Sequence, residues 1–482
     1  MFWRGVVGYL PVNVVQGVVG LLAIVLFTRV LSPQQYGVYA LAFTAMNLCH
    51  TLVFTWIEAA MARFYAREAG SARIADHFAT LYRCWIGAAL AFTLAVVGAL
   101  ALWTAQSPVK AALAVAMASV LGRSLVKMIQ ERRRAAGEVR AFAFLDIFLT
   151  AGGFAGALAL IAVGLEAAGA VAGPGLIAVF ALLLVLPGEL RRMRGGRFEA
   201  ARARAYAAYG VPIAASLVLV AALATTDRFL LAAYLNETAV GVYHAGYSLA
   251  NRTLDVLFIW LGMASAPALI MALERGGEDA LQAGARQQGS AMVALALPAA
   301  VGLALVARPL AEVMVGPALR EGAAHVTPWI AASALFSGLT IYYLNPAFAL
   351  ARRTKLLLAA MAIPAVANIG LNLALIPRFG LDGAMWATAA SYGLGMAASF
   401  VLGRRAISLP IPIEAMARAG VASLAMALVV MRLPSTGGVG ELLLKAVCGG
   451  LTYGVVAIAL DLGGSRARLA GALRSRRLRV AS

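Results

Sequence analysis

Apolar positions along this chain come in long unbroken runs, neither alternating as in a half-buried strand nor spaced as on one face of a surface helix. A helix needs about 20 such residues to cross the roughly 30 Å hydrocarbon layer of a bilayer. Fourteen runs approach that length, at residues 6–30, 37–60, 81–103, 109–129, 141–164, 169–187, 209–234, 240–270, 290–307, 326–350, 356–376, 383–402, 415–431 and 442–460, the thirteenth being shortened by Arg418. A barrel would need short alternating strands, whereas these runs are continuous and rich in Ala, Leu, Val and Gly. The pattern therefore predicts an all-α integral membrane protein of about 14 transmembrane helices.

The polar segments between the runs are short, the longest being 61–80 and 189–208, so no separate soluble domain is expected. The second contains Glu189, Arg191, Arg192, Arg194, Arg197, Arg202 and Arg204 and divides six runs from the next six. This predicts an N-terminal lobe at 1–205, a C-terminal lobe at 206–410, and a segment at 411–482 holding helices 13 and 14 and a basic tail.

An internal repeat supports the division. LSPQQYGVYALAFTAMN begins at Leu31 and LNETAVGVYHAGYSLAN begins 204 positions later at Leu235; Leu31, Gly37, Val38, Tyr39 and Asn47 recur as Leu235, Gly241, Val242, Tyr243 and Asn251. Each copy lies between an odd and an even helix, hence on the same side of the membrane. The expectation is two pseudo-symmetric six-helix lobes related by an axis along the membrane normal, with a substrate path where they meet.

Composition agrees: of 482 residues 62% are hydrophobic and 13% charged, with a net charge of +19. That charge does not indicate nucleic acid, because it is spread over the loops of one membrane face. With a cytoplasmic N-terminus the external loops hold only Lys110, Arg308, Arg320, Arg378 and Arg432, so the positive-inside rule predicts both termini in the cytoplasm of an inner-membrane protein. The tail residues Arg466, Arg468, Arg474, Arg476, Arg477 and Arg479 are expected against anionic headgroups. Cys49, Cys84 and Cys448 lie inside predicted helices without metal-type spacing and read as small packing residues. The first run is too long for a signal peptide and is expected to stay as a helix. No cofactor or metal is implied.

Ionisable residues inside the bilayer are costly, so they face an interior, pair, or mark a pathway. Thr44, Asn47, Thr51, Thr55 and Glu58 follow steps of three and four and are predicted on one face of the second helix. His244, Ser248, Asn251 and Asp255 share that phase on the eighth, the repeat offset carrying Thr44, Asn47 and Thr51 onto Ser248, Asn251 and Asp255. The hydroxyls suit helix-to-helix hydrogen bonds as well as a cavity; for Glu58 and Asp255 a cavity is favoured. Asp227 and Arg228, two turns from the external end of the seventh helix, admit ion pairs with Arg252 and Asp255 that are either structural or gating. Arg29, Arg83, Arg123 and Lys127 lie within or near helix ends. Arg29 and Lys127 can snorkel to the interface; any that point inward supply positive potential suited to phosphate oxygens. The substrate or cavity set is thus Asn47, Glu58, Arg83, Arg123, Arg228, His244, Asn251 and Arg252, and the coupling or gate set is Arg29, Asp227 and Asp255.

Three segments carry a family resemblance. RVLSPQQYGVY at 29–39 is similar to an R-x-L-x-P-x-x-[YF]-G turn, DRFLLAAYLNETAVGVY at 227–243 to a D-R-x-x-L-x-x-x-L-x-x-x-x-V-G-x-Y element, and NLALIPRFGLDGAMWAT at 372–388 to an N-x-x-L-I-P-x-[YF]-G-x-x-G-A-A-x-A-T stretch. The chain resembles the polysaccharide-transporter family, in the superfamily that also holds multidrug/toxin extruders and lipid II flippases. The resemblance implies a flippase, not an enzyme, that moves undecaprenyl-diphosphate-linked repeat units by rocking two lobes, for O-antigen or exopolysaccharide assembly. Membrane lipids, the lipid-linked oligosaccharide, a polysaccharide polymerase and export machinery are its implied partners. Met385 and Trp386 replace residues that are usually small in the family, so sugar specificity does not transfer.

Other readings remain open: a cation-coupled multidrug-type antiporter, a lipid II flippase, and an integral-membrane glycosyltransferase or polymerase. The last would carry a sizeable external loop with clustered charges, whereas the largest, at 308–325, holds Glu312, Glu321 and His325 beside two arginines. No G-x-x-x-x-G-K-[ST] loop is present, which disfavours an ATP-driven pump. Glu58, Asp227, His244 and Asp255 are candidate proton or cation ligands.

Overall fold

The structure is a computed structural model describing residues 2–71, 73–104, 107–464 and 466, with side chains throughout except at 2–9, 263–267 and 354. Arg468, Arg474, Arg476, Arg477 and Arg479 of the predicted basic tail lie outside the described residues.

The helices are α1 Phe2–Val30, α2 Pro33–Val53, α3 Thr55–Glu68, α4 Ile74–Leu102, α5 Pro108–Ala135, α6 Val139–Leu160, α7 Glu166–Arg192, α8 Ala200–Tyr234, α9 Glu237–Leu305, α10 Ala307–Met314, α11 Arg320–Leu339, α12 Pro346–Leu350, α13 Thr354–Gly403, α14 Ile413–Val430 and α15 Gly438–Ala459. No strand occurs among the described residues. α9 and α13 are each two spans joined at one left-handed glycine, Gly277 at φ 66° and Gly380 at φ 57°. Only glycine adopts that conformation cheaply, so each marks a reversal between spans. Counting α2 with α3 as one bent span and α11 with α12 as one, and leaving out α10, whose eight residues are too short to cross, gives fourteen crossings among the described residues, as the apolar runs predict.

The chain divides into two compact units, Met1–Gly241 and Val242–Ser482. In the first unit the core lies among α2 to α8, with Phe54, Ile57, Phe78, Leu81, Val120, Ile129 and Val171 at its centre. α6 and α7 approach so closely that a Cβ on Gly173 would overlap the backbone of Ala157. Small residues allow such contact where hydrophobic burial cannot drive association, since lipid is as apolar as a side chain.

The repeat also has a structural counterpart. Ser32 caps α2, its Oγ accepting from the Gln35 amide at 3.2 Å, with Pro33 in the first turn. At the repeat offset Asn236 caps α9, its Oδ1 accepting from the Ala239 amide at 2.9 Å. A Cβ on Gly37 would run into the Glu237 carbonyl, and one on Gly241 into the Pro33 carbonyl, which are again repeat equivalents. Two of the three family-like segments are therefore cap and crossing chemistry, and the third holds the Gly380 reversal.

In the second unit Phe258 of α9 stacks on Tyr342 with ring centres 6.0 Å apart, while Gly338 leaves room for its ring. α14 and α15 pack as a hairpin through Met426, Val430 and Gly449.

Candidate functional site

The second predicted helix is not continuous. α2 and α3 meet at Phe54 with a bend of 50°. Asn47 donates to the Phe43 carbonyl at 2.8 Å and Thr51 to the Asn47 carbonyl at 2.8 Å. Side chains that bond back to their own helix are associated with bending. The five-residue stripe expected on one helix face is thus split, with Thr55 and Glu58 on the far side of the break. What the bend creates is an unforeseen pair: His50 Nε2 lies 2.7 Å from Glu58 Oε1, one residue on each helix and Glu58 6% exposed.

The predicted basic residues separate by environment. Arg29 is exposed and donates to the Val25 carbonyl at 2.6 Å. Lys127 pairs with Glu131 at 3.6 Å. Arg83 is exposed, with no hydrogen bond or ion pair among the described residues. Arg123, half-buried and well inside α5, has its Nη1 3.1 Å from the Met46 sulfur of α2. A thioether is a weak acceptor, so this guanidinium keeps donor capacity inside the first unit.

Asp227 and Arg228 are fully and almost fully buried on α8. The Asp227 carboxylate accepts the Arg228 amide at 2.8 Å and lies 3.7 Å from its guanidinium, which also donates to the Ala224 carbonyl at 2.6 Å. On α9, Asn251 donates to Asp255 at 2.5 Å. Arg252 is exposed, and His244 and Asn251 are half-buried. The three cysteines are half-buried free thiols.

Three polar groupings are absent from the sequence-derived set. Asp146 of α6 is buried and accepts from Gln16 of α1 at 2.7 Å and from Gln130 of α5 at 3.0 Å. It sits within the 141–164 run and carries the signal that singles out Glu58, a lone carboxyl in an apolar stretch. At one end of the first unit Arg132, 1% exposed, chelates Glu138 at 2.8 and 3.1 Å and pairs with Glu189 of α7 at 3.0 Å, to which Tyr82 also donates. Arg202 of α8 bridges Glu68 of α3 at 2.8 Å and Glu199 at 2.6 Å at the same end. The 189–208 connector is thereby tied into the helices around it. In the second unit Asn372 donates to the Asn368 backbone and side chain at 2.9 and 3.0 Å, both residues fully buried, and Asn368 Nδ2 and Asn372 Oδ1 find no hydrogen-bond partner among the described residues. Beside the turn in the third family-like segment, the Tyr243 and Thr388 hydroxyls meet at 2.9 Å.

A family model described as polysaccharide biosynthesis protein matches residues 26–321, well over half of the chain. The chain belongs to this family. No curated protein sequence matches it. Among solved structures, a lipid II flippase, MurJ, in an inward closed conformation is similar with a TM-score of 0.72 at 12% identity, covering 93% of this chain and 98% of that one. An inward-facing multidrug resistance transporter of the MATE family and MOP superfamily is similar with a TM-score of 0.61 at 13% identity, covering 81% and 97%. Its outward-facing counterpart scores 0.57 at 13% identity, covering 83% and 93%. At such identities the likeness establishes the fold: a multi-pass membrane protein with the architecture of flippases and transporters.

Proposed function

We propose that this member of the polysaccharide biosynthesis family is a flippase carrying undecaprenyl-diphosphate-linked oligosaccharide repeat units from the cytoplasmic to the external leaflet of the inner membrane, by alternating access. The observation that carries the reading is Arg123. A guanidinium inside a span costs several kcal/mol unless compensated, yet its neighbour is a thioether. A diphosphate crossing the bilayer supplies the bidentate anionic oxygens that a guanidinium fits. Its polyprenyl tail needs no polar path, being at home in hydrocarbon. Asn47 and Glu58 in the first unit, and His244, Asn251 and Arg252 in the second, supply hydrogen-bonding groups for a sugar head, with Arg83 and Arg228 as further cations. Arg29, Asp227 and Asp255 serve coupling or gating. The chain is a transporter and not an enzyme, working beside a polysaccharide polymerase and export machinery for O-antigen or exopolysaccharide, with both termini cytoplasmic.

A cation-coupled antiporter is the second reading, supported by the likeness to the multidrug transporters and by the His50–Glu58 pair, which can hold a proton. A lipid II flippase is a third, by likeness to MurJ. Deletion of the gene separates them. The flippase reading expects lipid-linked repeat units to accumulate on the cytoplasmic face with drug susceptibility unchanged. Raised drug susceptibility without accumulation supports the antiporter, and accumulation of lipid II the third reading.

A further inference from the structure

Two adjoining cavities lie at one end of the second unit, where the half of α9 after Gly277, the start of α14 and the end of α15 come together. One is about 780 Å³ and the other about 420 Å³, and Arg286, Ser290, Leu462 and Gly463 line both. They differ in character. The larger is walled chiefly by Ala283, Ala291, Ala294, Leu295 and Leu462, whereas the smaller is closed by Arg418, Glu414 and Asp461.

The charges are unequally satisfied. Arg418 is held by Glu414 at 2.5 Å and by the Asp461 carbonyl at 2.9 Å. Arg286 sits where the cavities join and has no hydrogen bond or ion pair among the described residues. Arg404 and Arg405, in the connector leading into α14, add positive charge to this end. Ile411, Ile413 and Leu295 expose apolar surface at the same place. An apolar slot opening beside an unpaired guanidinium and a hydroxyl is complementary to an amphiphile with an anionic phosphate. A soluble phosphate compound would leave the larger cavity unfilled.

We propose that this joint cavity binds one anionic glycerophospholipid of the surrounding bilayer, its phosphate on Arg286 and Ser290 and part of an acyl chain along Ala291 and Leu295. Basic recesses between membrane helices recognise anionic headgroups by the same chemistry. The site lies wholly within the second unit and is independent of the transported substrate.

Native mass spectrometry of the purified full chain, titrated with phosphatidylglycerol or phosphatidylcholine, tests it. One phosphatidylglycerol is expected to be retained in preference to phosphatidylcholine, with Arg286→Gln weakening retention by about tenfold, as loss of one charge-assisted contact implies. Ala291→Trp, which fills the larger cavity from an exposed helix position, is expected to weaken both lipids. Arg405→Gln removes a charge from the same end outside the cavity and is expected to change nothing. Retention unaltered by Arg286→Gln, or lowered equally by Arg405→Gln, overturns the proposal. So does displacement of phosphatidylglycerol by less undecaprenyl diphosphate than the phospholipid itself requires, which would make the cavity part of the substrate path.

Discussion

Gly37 and Gly241, equivalent positions of the internal repeat, face each other across the crossing of α2 and α9: a Cβ on Gly37 would lie 3.0 Å from the Gly241 nitrogen, and one on Gly241 3.1 Å from the Gly37 nitrogen. Each also abuts a carbonyl from the turn before the other, Glu237 and Pro33. The reciprocity follows from two copies of one helix-start motif meeting at equivalent positions, and it gives both copies a physical reason to carry glycine there.

Gly37→Ala and Gly241→Ala are therefore expected to destabilise the protein by about 1–3 kcal/mol each, as overpacking does. Gly17→Ala, with open space around it, is the control. Thermal unfolding in detergent reads the difference, and equal midpoints for all three variants would refute the close crossing.

Arg123→Gln is expected to lower transport of the lipid-linked substrate by roughly 10- to 100-fold, the loss of a charge-assisted pairing, without lowering the amount of folded protein. Arg123→Lys should recover part of it, because an ammonium keeps the charge and loses the bidentate fork. Transport at the parent rate in Arg123→Gln would remove Arg123 from the substrate path.

His50 and Glu58 lie on opposite sides of the Phe54 break, so a proton or cation taken up there acts on the bend directly. A ligand shifts a conformational equilibrium only if it binds the two states unequally. Glu58→Gln and His50→Ala are both predicted to abolish the response of transport to an imposed ion gradient, with substrate binding left intact in His50→Ala and weakened in Glu58→Gln, whose carboxylate also serves the sugar head; a gradient response like the parent's in both would place coupling elsewhere.

Breaking the buried Arg132–Glu189 pair from one side, by Arg132→Met, strands a carboxylate and should cost about 3–5 kcal/mol, whereas removing both charges together should cost much less. The partner Glu138 adds a pH signature. Its hydrogen bonds from Arg132 hold its carboxyl below the usual carboxylate range. A group whose folded pKa is depressed stabilises at neutral pH and loses that contribution as pH falls from the unfolded carboxylate pKa of about 4.3 through the lower folded value. Melting midpoints of the parent and of Glu138→Gln should therefore converge under acid conditions; a constant gap would show that Glu138 acts without its charge.

The spans are legible in sequence because lipid rewards one property, a long apolar run, and each run reports it locally. Reversals were legible too, since Gly277 and Gly380 fall in the gaps between runs. The polar constellation was legible only where its partners share a helix, as Asn251 and Asp255 do. Asp146 draws its partners from α1 and α5, and Arg132 from α7 and the turn before α6, so no spacing along one helix announces either. The stripe from Thr44 to Glu58 misled for a related reason: periodicity assumes a straight helix, and residues such as Asn47 and Thr51 that bond their own backbone help to bend it.

Transport itself is the most direct test. Purified protein in sealed proteoliposomes, given a polyprenyl-diphosphate-linked oligosaccharide with a glycosidase or lectin on one side only, reports movement between leaflets. The glycan is expected to become accessible from the opposite face at a rate that depends on the protein and falls in Arg123→Gln. Glycan that stays on its original leaflet, in vesicles whose protein is folded and oriented, would contradict the flippase reading.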